Sequence, residues 1–226
     1  MGEKPILMSG PMVRALLAGT KTQTRRAVKP QPSPEWYPVV QRYHPAIERR
    51  GEVVPGPEVF GAADELDGRP CPYGAPGDRL WVKETWSAPP TYDAAKPTDL
   101  AEDTPIRYAA EGAVRGVSER FVDADGLIAI GRLRPSIFMR RWMSRITLEI
   151  TDVRVQRLQE IGEEDARAEG VTAAPFCKAG RPAGMEHAEA FEDLWGSING
   201  EREGCSWAAN PWVWVISFRR VEVPRA

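Results

Sequence analysis

The pattern of apolar and polar positions near the N-terminus predicts a short strand at residues 6–8, followed by a helix. In SGPMVRALLAG, apolar residues recur at a spacing of four, which is typical of one face of a helix. Pro11 suits the first turn of this helix and Gly19 suits its end. Arg14, on the polar face, is expected to point toward solvent.

Later segments carry the same two kinds of pattern. Alternating apolar and polar residues predict four strands, in DRLWVKETW, PIRYAAEG, RRWMSRITLEITDVRVQRL and NPWVWVISFRRVEV. Two short helices are predicted, in IGEEDARAEGV and EHAEAFEDLWGSI. The first has three acidic residues in its opening turn, where the helix dipole favours negative charge.

Prolines divide the chain between these elements. Residues 30–57 hold seven prolines and are predicted to be irregular, and residues 87–105 hold four more and are predicted to form a loop. Strands dominate the second half, and helices are few and short. The expected fold class is therefore α+β, and a small mixed barrel fits better than a doubly wound sheet.

Composition and charge narrow the function classes. The 226 residues are enough for one domain with elaborations or for two small domains. With 30 basic and 32 acidic residues, the chain lacks the general positive charge of a phosphate-backbone binder. The charge is uneven, however: residues 1–50 carry +6, 131–150 carry +4 and 151–210 carry −6. A basic face could thus contact nucleic acid locally.

Membrane and metal signals are weak. No apolar run approaches the roughly 20 residues of a membrane span, and the N-terminus lacks a signal peptide's apolar region, so a cytoplasmic location without membrane partners is expected. Cys71, Cys177 and Cys205 are widely spaced and odd in number, which disfavours a disulfide framework. With His187 they match no common zinc spacing, so no metal or other cofactor is predicted.

A cluster of hydrogen-bond donors follows the first helix, in AGTKTQTRR. Lys21, Thr24, Arg25 and Arg26 stand within six residues of one another. They are either cations favoured by the dipole at a helix C-terminus, with Thr24 starting a turn, or the floor of a site for an anionic or base-like ligand.

Four stretches in order, ALLAGTKTQTRR, GDRLWVKETW, ITLEITDVRVQRLQEIGEEDARAEGV and WVWVISFRRV, resemble an ASCH domain of the PUA-like superfamily. The family pattern G-x-K-x-x-T-x-R corresponds here to Gly19, Lys21, Thr24 and Arg26. The GD at 77–78 that opens the next strand is also similar to the family.

The resemblance implies a single domain over residues 1–226: a PUA-like small β-barrel flanked by short helices. The core would comprise 5–28, 73–86 and 144–222. Proline-rich insertions would occupy about 30–70 and 87–130. The likeness is greatest to longer, tryptophan-rich members found among phage-like genes.

The resemblance also implies a partner and an activity. Such domains are expected to bind RNA or modified nucleosides, and one branch is similar to N(4)-acetylcytidine amidohydrolases, whose catalytic set is Lys, Thr and Glu. The corresponding residues here are Lys21, Thr24 and Glu169, with Glu164 and Glu163 as alternatives for the last. Lys21 would act as base or activator, Thr24 as nucleophile or oxyanion donor and Glu169 as proton shuttle.

Further residues are candidates for contact with the substrate or RNA. They are Arg25, Arg26, Glu84, Arg141, Trp142 and Arg145. The arginines would grip phosphates or form an exposed charged face, and Trp142 would stack on a base or pack in the core. Glu84 would face the cleft or be a paired or solvated strand carboxylate.

Packing or surface positions are predicted for several other residues. Trp212 and Trp214 are expected to pack in the closing strand, and Asn210 to lead into it or reach the cleft. His44 and His187 have no partner pattern and are interpreted as surface residues.

Two other functions remain open beside the amidohydrolase. The chain could be a non-catalytic module that binds RNA or a modified base, or it could be a ribonuclease. A binding module should tolerate Thr24→Ala with only a modest loss of affinity. A nuclease should lose strand cleavage when Lys21 or Arg26 is neutralised.

Overall fold

A computed structural model describes residues 2–116, 130–174 and 184–222. Cys71 and Cys205 are buried free thiols, and Cys177 lies outside the described residues. The predicted α+β class is confirmed, because short sheets dominate and helices are few. None of the sheets formed by the described strands closes on itself, so the predicted barrel is not confirmed.

The described segments contain three α-helices and thirteen strands. The helices are α1 (Gly10–Leu17), α2 (Glu163–Ala168) and α3 (Glu186–Asn199). The strands are β1 (Glu3–Leu7), β2 (Gln23–Ala27), β3 (Val39–Tyr43), β4 (Ala46–Arg49), β5 (Glu52–Pro55), β6 (Val59–Ala63), β7 (Gly68–Pro70), β8 (Arg79–Lys83), β9 (Trp86–Ser87), β10 (Ile106–Tyr108), β11 (Val114–Arg115), β12 (Thr147–Arg157) and β13 (Trp212–Val221). In this part of the chain no helix has the length and apolar character needed to cross a membrane.

The chain divides into two compact units. The first contains Met1–Gly2, Thr20–Asp78 and Glu149–Arg219. The second contains Glu3–Gly19, Arg79–Leu148 and Arg220–Ala226. Each unit therefore gathers segments that are far apart in sequence, and each has an apolar cluster of its own.

The first unit holds β2, β13 and two helices. Strand β13 pairs antiparallel with β2, so that Ile216 stands opposite Thr24. Helices α2 and α3 contribute to a buried cluster with Phe191 and Trp195, completed by Val213 and other apolar residues. Small antiparallel sheets, β3-β6-β7 and β4-β5, occupy the proline-rich part of this unit.

The second unit holds α1, β1 and β8. Strand β1 pairs parallel with β8, and Ile6 stands opposite Val82, both fully buried. Strands β9, β10 and β11 form a separate antiparallel sheet. Trp86 and Tyr108 from this sheet belong to the unit's apolar cluster.

Most elements predicted from periodicity are confirmed within a few residues: α1, β8, β12, α2, α3 and β13. Arg14 is exposed, as expected for the polar face of α1. Both faces of β13 are buried, since Val213 and Val215 are as inaccessible as Trp214 and Ile216.

The predicted irregularity of residues 30–57 is wrong. Strands β4 and β5 form a hairpin whose two central loop residues, Arg50 and Gly51, have φ values of 58° and 84°. Two consecutive positive φ values are typical of the tight hairpin turn that matches strand twist. Pro45 precedes β4, and Pro55 is the last residue of β5, opposite Ala46, so both prolines lie at the end of the ladder and do not interrupt it.

A carboxylate from α2 caps the N-terminus of α3. Both oxygens of Glu163 accept the His187 N–H at 3.1 Å, and Oε2 also accepts the Ala188 N–H at 3.1 Å. Burial acts to raise the pKa of Glu163, but hydrogen bonds from His187 and Ala188 outweigh it, and the pKa is lowered. The acidic residue thus stabilises two helix N-termini, its own and that of α3.

Replacement of this cap should lower stability. Glu163→Gln is expected to reduce the free energy of unfolding by about 1 kcal/mol, as for other lost helix caps. Glu164→Gln is the matched control, because Glu164 lies in the same first turn but is exposed. Urea unfolding monitored by circular dichroism compares the two variants. Equal midpoints would contradict the capping role.

Candidate active site

Lys21 is held two residues before β2 by contacts with the end of α2. Gly19 has a φ of 76°, which turns the chain after α1. Lys21 then forms an isolated antiparallel bridge with Glu169. The Thr22 N–H donates to the Ala168 carbonyl at 2.8 Å, and the Thr22 carbonyl accepts from Phe218 at 2.9 Å. Backbone pairing therefore brings together two segments almost 150 residues apart.

The side chain of Lys21 is buried in an ion pair. Its Nζ donates to Glu169 Oε2, to the Glu169 carbonyl and to the Gln23 carbonyl, each at 2.8 Å. The side chains of Lys21 and Glu169 are 0% and 2% exposed. An ammonium group has three protons, so all three donors of Lys21 are satisfied within the protein.

Burial perturbs the protonation of this lysine. It lowers the pKa of Lys21 because the charged form loses its hydration. The attraction of Glu169 acts in the opposite direction, and the repulsion of Arg26 and Arg25 lowers the pKa further. The net effect is a lowered pKa. Lys21 therefore gives up its proton more readily than a solvated lysine, and its neutral form, which can act as a base, is more populated at a given pH.

Arg25 extends the ion pair into a network. Its Nη1 donates to Gln23 Oε1 at 2.6 Å and to Glu169 Oε1 at 3.3 Å, and its Nη2 donates to Asp165 Oδ2 at 2.6 Å. The guanidinium also lies 5.7 Å from the ring centroid of Phe191. Glu169 is thus shared between two cations, one at each carboxylate oxygen.

Asp165 is in turn held by Arg154. The Nη2 of Arg154 donates to both oxygens of Asp165, at 2.8 and 2.7 Å. Burial acts to raise the pKa of Asp165, but the hydrogen bonds and charges of Arg154 and Arg25 outweigh it and lower the pKa. Cations and carboxylates therefore alternate from Lys21 to Arg154.

Gln23, Asp165 and Arg154 were not predicted as part of this site. Two spacings in the sequence point to Gln23 and Asp165, but none points to Arg154. Gln23 and Arg25 are two apart in a strand and share a face. Asp165 and Glu169 are four apart and face the same side at the end of α2.

Thr24 lies on a different face from the network. The predicted turn starting at Thr24 is wrong, because Thr24 belongs to β2 and pairs with Ile216. Side chains alternate across a strand, so Thr24 points away from the face of Gln23 and Arg25. Thr24 is buried and Arg26, on the same side, is half-buried.

In the second unit, Glu84 and Arg145 bind each other. Arg145 donates to both oxygens of Glu84 at 2.9 and 3.0 Å, and to Glu111 at 2.6 Å. Its guanidinium lies 4.1 Å from the ring centroid of Tyr108. Burial acts to lower the pKa of Arg145, but the hydrogen bonds that Arg145 donates to Glu84 and Glu111 outweigh it and raise the pKa. This bidentate, stacked pair is an internal contact of the unit.

Arg141 and Trp142 also have partners within the second unit. Arg141 binds both oxygens of Glu3, at 2.8 and 3.1 Å. Trp142 is half-buried, with Arg115 5.7 Å from its ring centroid and donating to its carbonyl. The binding of RNA by these residues stays a prediction, and a phosphate would have to compete with Glu3 for Arg141.

The remaining predicted residues have structural contacts. His44 is exposed as expected, whereas His187 is half-buried and its Nδ1 lies 2.6 Å from Glu163. Asn210 has a φ of 43° and accepts the Gln159 N–H, which fits a turn before β13. Trp212 packs edge-on against Trp36, as expected for a packing residue.

The alternative acids and the metal candidates lie apart from Lys21. The carboxylate of Glu163 accepts hydrogen bonds at the N-terminus of α3, and Glu164 is exposed. In residues 2–116, 130–174 and 184–222, no group of three or more His, Cys, Asp or Glu is arranged to hold a metal ion.

The chain matches no protein-family model, no curated protein and no solved structure. The likeness to an ASCH domain therefore rests on the four stretches and their motif. The contact between Lys21 and Glu169 is an independent observation, since it comes from the fold.

The buried pair should behave as one unit in stability measurements. Glu169→Leu leaves the Lys21 ammonium buried without its carboxylate and should lower the free energy of unfolding by about 3–5 kcal/mol. Lys21→Met is the second single variant of the cycle. The double variant Lys21→Met with Glu169→Leu removes both charges and should lose less than the sum of the single variants. Denaturant unfolding of the four proteins forms the cycle. Additive losses would contradict a coupled pair.

The network should also make stability depend on acidic pH through Asp165. Its folded-state pKa lies below the ordinary 3.8, so its contribution is complete above that pH and is lost as pH falls through the folded pKa. The stability gap between wild type and Asp165→Asn should therefore be constant near neutral pH and shrink below about pH 3.8. Urea unfolding at several pH values measures this gap. A gap that stays constant into strong acid would contradict the charge network.

Proposed function

We propose that the protein is an amidohydrolase that removes the acyl group from an N(4)-acylated cytidine-type nucleoside or base, on a PUA-like scaffold. The observation that carries the proposal is the buried pair of Lys21 and Glu169, joined at 2.8 Å. These are two of the three residues that the ASCH resemblance implies as catalytic. Buried titratable pairs with a perturbed pKa are concentrated at functional sites.

The two groups supply the proton transfers that amide hydrolysis requires. Glu169 takes a proton from water as the water oxygen attacks the acyl carbonyl carbon. Lys21 stabilises the developing oxyanion and then gives a proton to the exocyclic nitrogen as the carbon–nitrogen bond breaks. The products are the free carboxylic acid and the amine of the base. Deprotonated Lys21 recovers its proton from Glu169, which restores the ion pair.

The substrate must replace part of the existing hydrogen bonding. Lys21 gives two of its three protons to backbone carbonyls, those of Gln23 and Glu169. In the proposed complex, the acyl oxygen takes the place of one of these carbonyls. Thr24 lies on the other face of β2, so this scheme gives its hydroxyl no step.

A non-catalytic module that binds RNA or a modified base is the second candidate. The observation in its favour is that Lys21 has all three protons donated within the protein and is fully buried. A pair arranged in this way also suits a structural link between β2 and the end of α2. Binding without turnover would then depend on other residues.

Turnover of N(4)-acetylcytidine separates the two functions. Purified wild-type protein should release cytidine, detected by liquid chromatography. Lys21→Ala and Glu169→Gln should each lower kcat/KM by about 10²- to 10⁴-fold, the usual contribution of acid–base groups. A loss in Thr24→Ala of similar size would add the hydroxyl to the catalytic set.

Arg219→Gln is the control for this assay. Arg219 is an exposed cation of the same unit, and its guanidinium pairs with Glu149 at 2.9 Å. Its variant should keep wild-type activity. Release of no cytidine by wild-type protein, together with retained binding of the nucleoside or of RNA, would replace the amidohydrolase proposal with the binding module.

A further inference from the structure

The carboxylate of Glu169 binds a second cation besides Lys21. Its Oε2 accepts Lys21 Nζ at 2.8 Å, and its Oε1 accepts Arg25 Nη1 at 3.3 Å. The side chain of Arg25 is fully buried, so this second cation is as shielded from water as the first. Each oxygen of one carboxylate therefore has its own positive partner.

Arg25 is itself fixed by several contacts. Asp165 and the Gln23 side chain each accept one of its N–H groups at 2.6 Å, and Phe191 lies against its guanidinium. Arg154 holds Asp165 from the other side. A planar guanidinium held in this way has little freedom to turn, so it orients whatever carboxylate it binds.

We propose that Arg25 is a positioning residue: anchored by Asp165, it occupies Oε1 of Glu169, presents Oε2 to Lys21, and thereby determines which of the two groups holds the shared proton. This goes beyond the Lys21 and Glu169 pair of the proposed function, and its catalytic consequence rests on that function. The arrangement of the charges can be tested without any turnover.

Two effects of Arg25 act in the same direction. Its positive charge repels the Lys21 ammonium and adds to the lowering of the Lys21 pKa by burial. By sharing Glu169, it also divides the carboxylate's attraction between two cations. Loss of Arg25 should therefore leave Glu169 wholly to Lys21 and make Lys21 hold its proton more tightly.

Other charged groups lie on the elements packed around Lys21 and Glu169. They must stay unchanged when wild type is compared with an Arg25 variant. They are Arg26 on β2, Arg154 on β12, Glu163 and Arg167 on α2, and His187 and Glu189 on α3. Glu189 is buried, with 2% of its surface exposed, whereas Arg167 is exposed. A substitution confined to Arg25 leaves all six in place.

The test is the titration of Lys21 followed by carbon-13 NMR of lysine labelled at the ε-carbon. Lys21→Arg identifies the signal by its disappearance. Arg25→Gln should move the midpoint of the Lys21 titration to higher pH. Arg25→Lys keeps a positive charge and should leave the midpoint near that of wild type, as should the control Arg219→Gln.

Activity gives a second readout if wild-type protein hydrolyses N(4)-acetylcytidine. Arg25→Gln should then lower kcat by about a hundredfold, the effect of a small misplacement of a reacting group. The limb of the pH profile of kcat/KM that reports Lys21 should move to higher pH together with the NMR midpoint. If wild-type protein shows no turnover, the proposed function fails, and the NMR titration alone decides the role of Arg25.

Two results would overturn the inference. They are an unchanged or lowered Lys21 midpoint in folded Arg25→Gln, with or without a loss of thermal stability, and an equal rise of the midpoint in Arg25→Lys. If Arg25→Gln does not fold, Arg25→Met, which keeps apolar contact with Phe191, takes its place with the same expected rise.

Discussion

A buried ammonium group needs partners for all its protons, and in this protein the partners of Lys21 come from two distant segments. Glu169 supplies both its carboxylate and its backbone carbonyl, and Gln23 supplies the third acceptor. An isolated charge at this depth would cost several kcal/mol, so the start of β2 and the end of α2 must stay together. The positions of Arg25, Asp165 and the helix follow from that constraint.

The same constraint connects stability with chemistry. A lysine that is buried and surrounded by other cations has a lowered pKa, and a carboxylate shared by two cations is oriented. Both properties are useful for moving protons during hydrolysis of an amide. They also carry a cost for stability, because replacing such a network with apolar residues is often neutral or stabilising.

Periodicity was enough to predict most of the fold, because apolar spacing reports directly which face of an element is buried. The helix α1, the long strand β12 and the closing strand β13 were all recognised in this way. The hairpin of β4 and β5 was missed because Arg50 and Gly51 form its turn without the usual Asn-Gly or Asp-Gly signal, in a segment dense in proline. The division into two units was not visible, since each unit combines separated segments.

The candidate site was predictable in part. The motif identified Lys21, and the resemblance identified Glu169, but the turn assigned to Thr24 was wrong because β2 begins at Gln23. Asp165 shares a helix face with Glu169, but its pairing with Arg25 and Arg154 depends on how α2 meets β2 and β12, which no local pattern records. The predicted RNA contacts Arg141 and Arg145 are bound to Glu3, Glu84 and Glu111, partners that sequence spacing does not suggest.

The most direct measurement is a crystal structure with an N(4)-acylcytidine analogue whose amide is replaced by a ketone. The account predicts that the acyl oxygen lies within hydrogen-bond distance of Lys21 Nζ, in place of one backbone carbonyl. An analogue bound elsewhere, with all three hydrogen bonds of Lys21 intact, would contradict it.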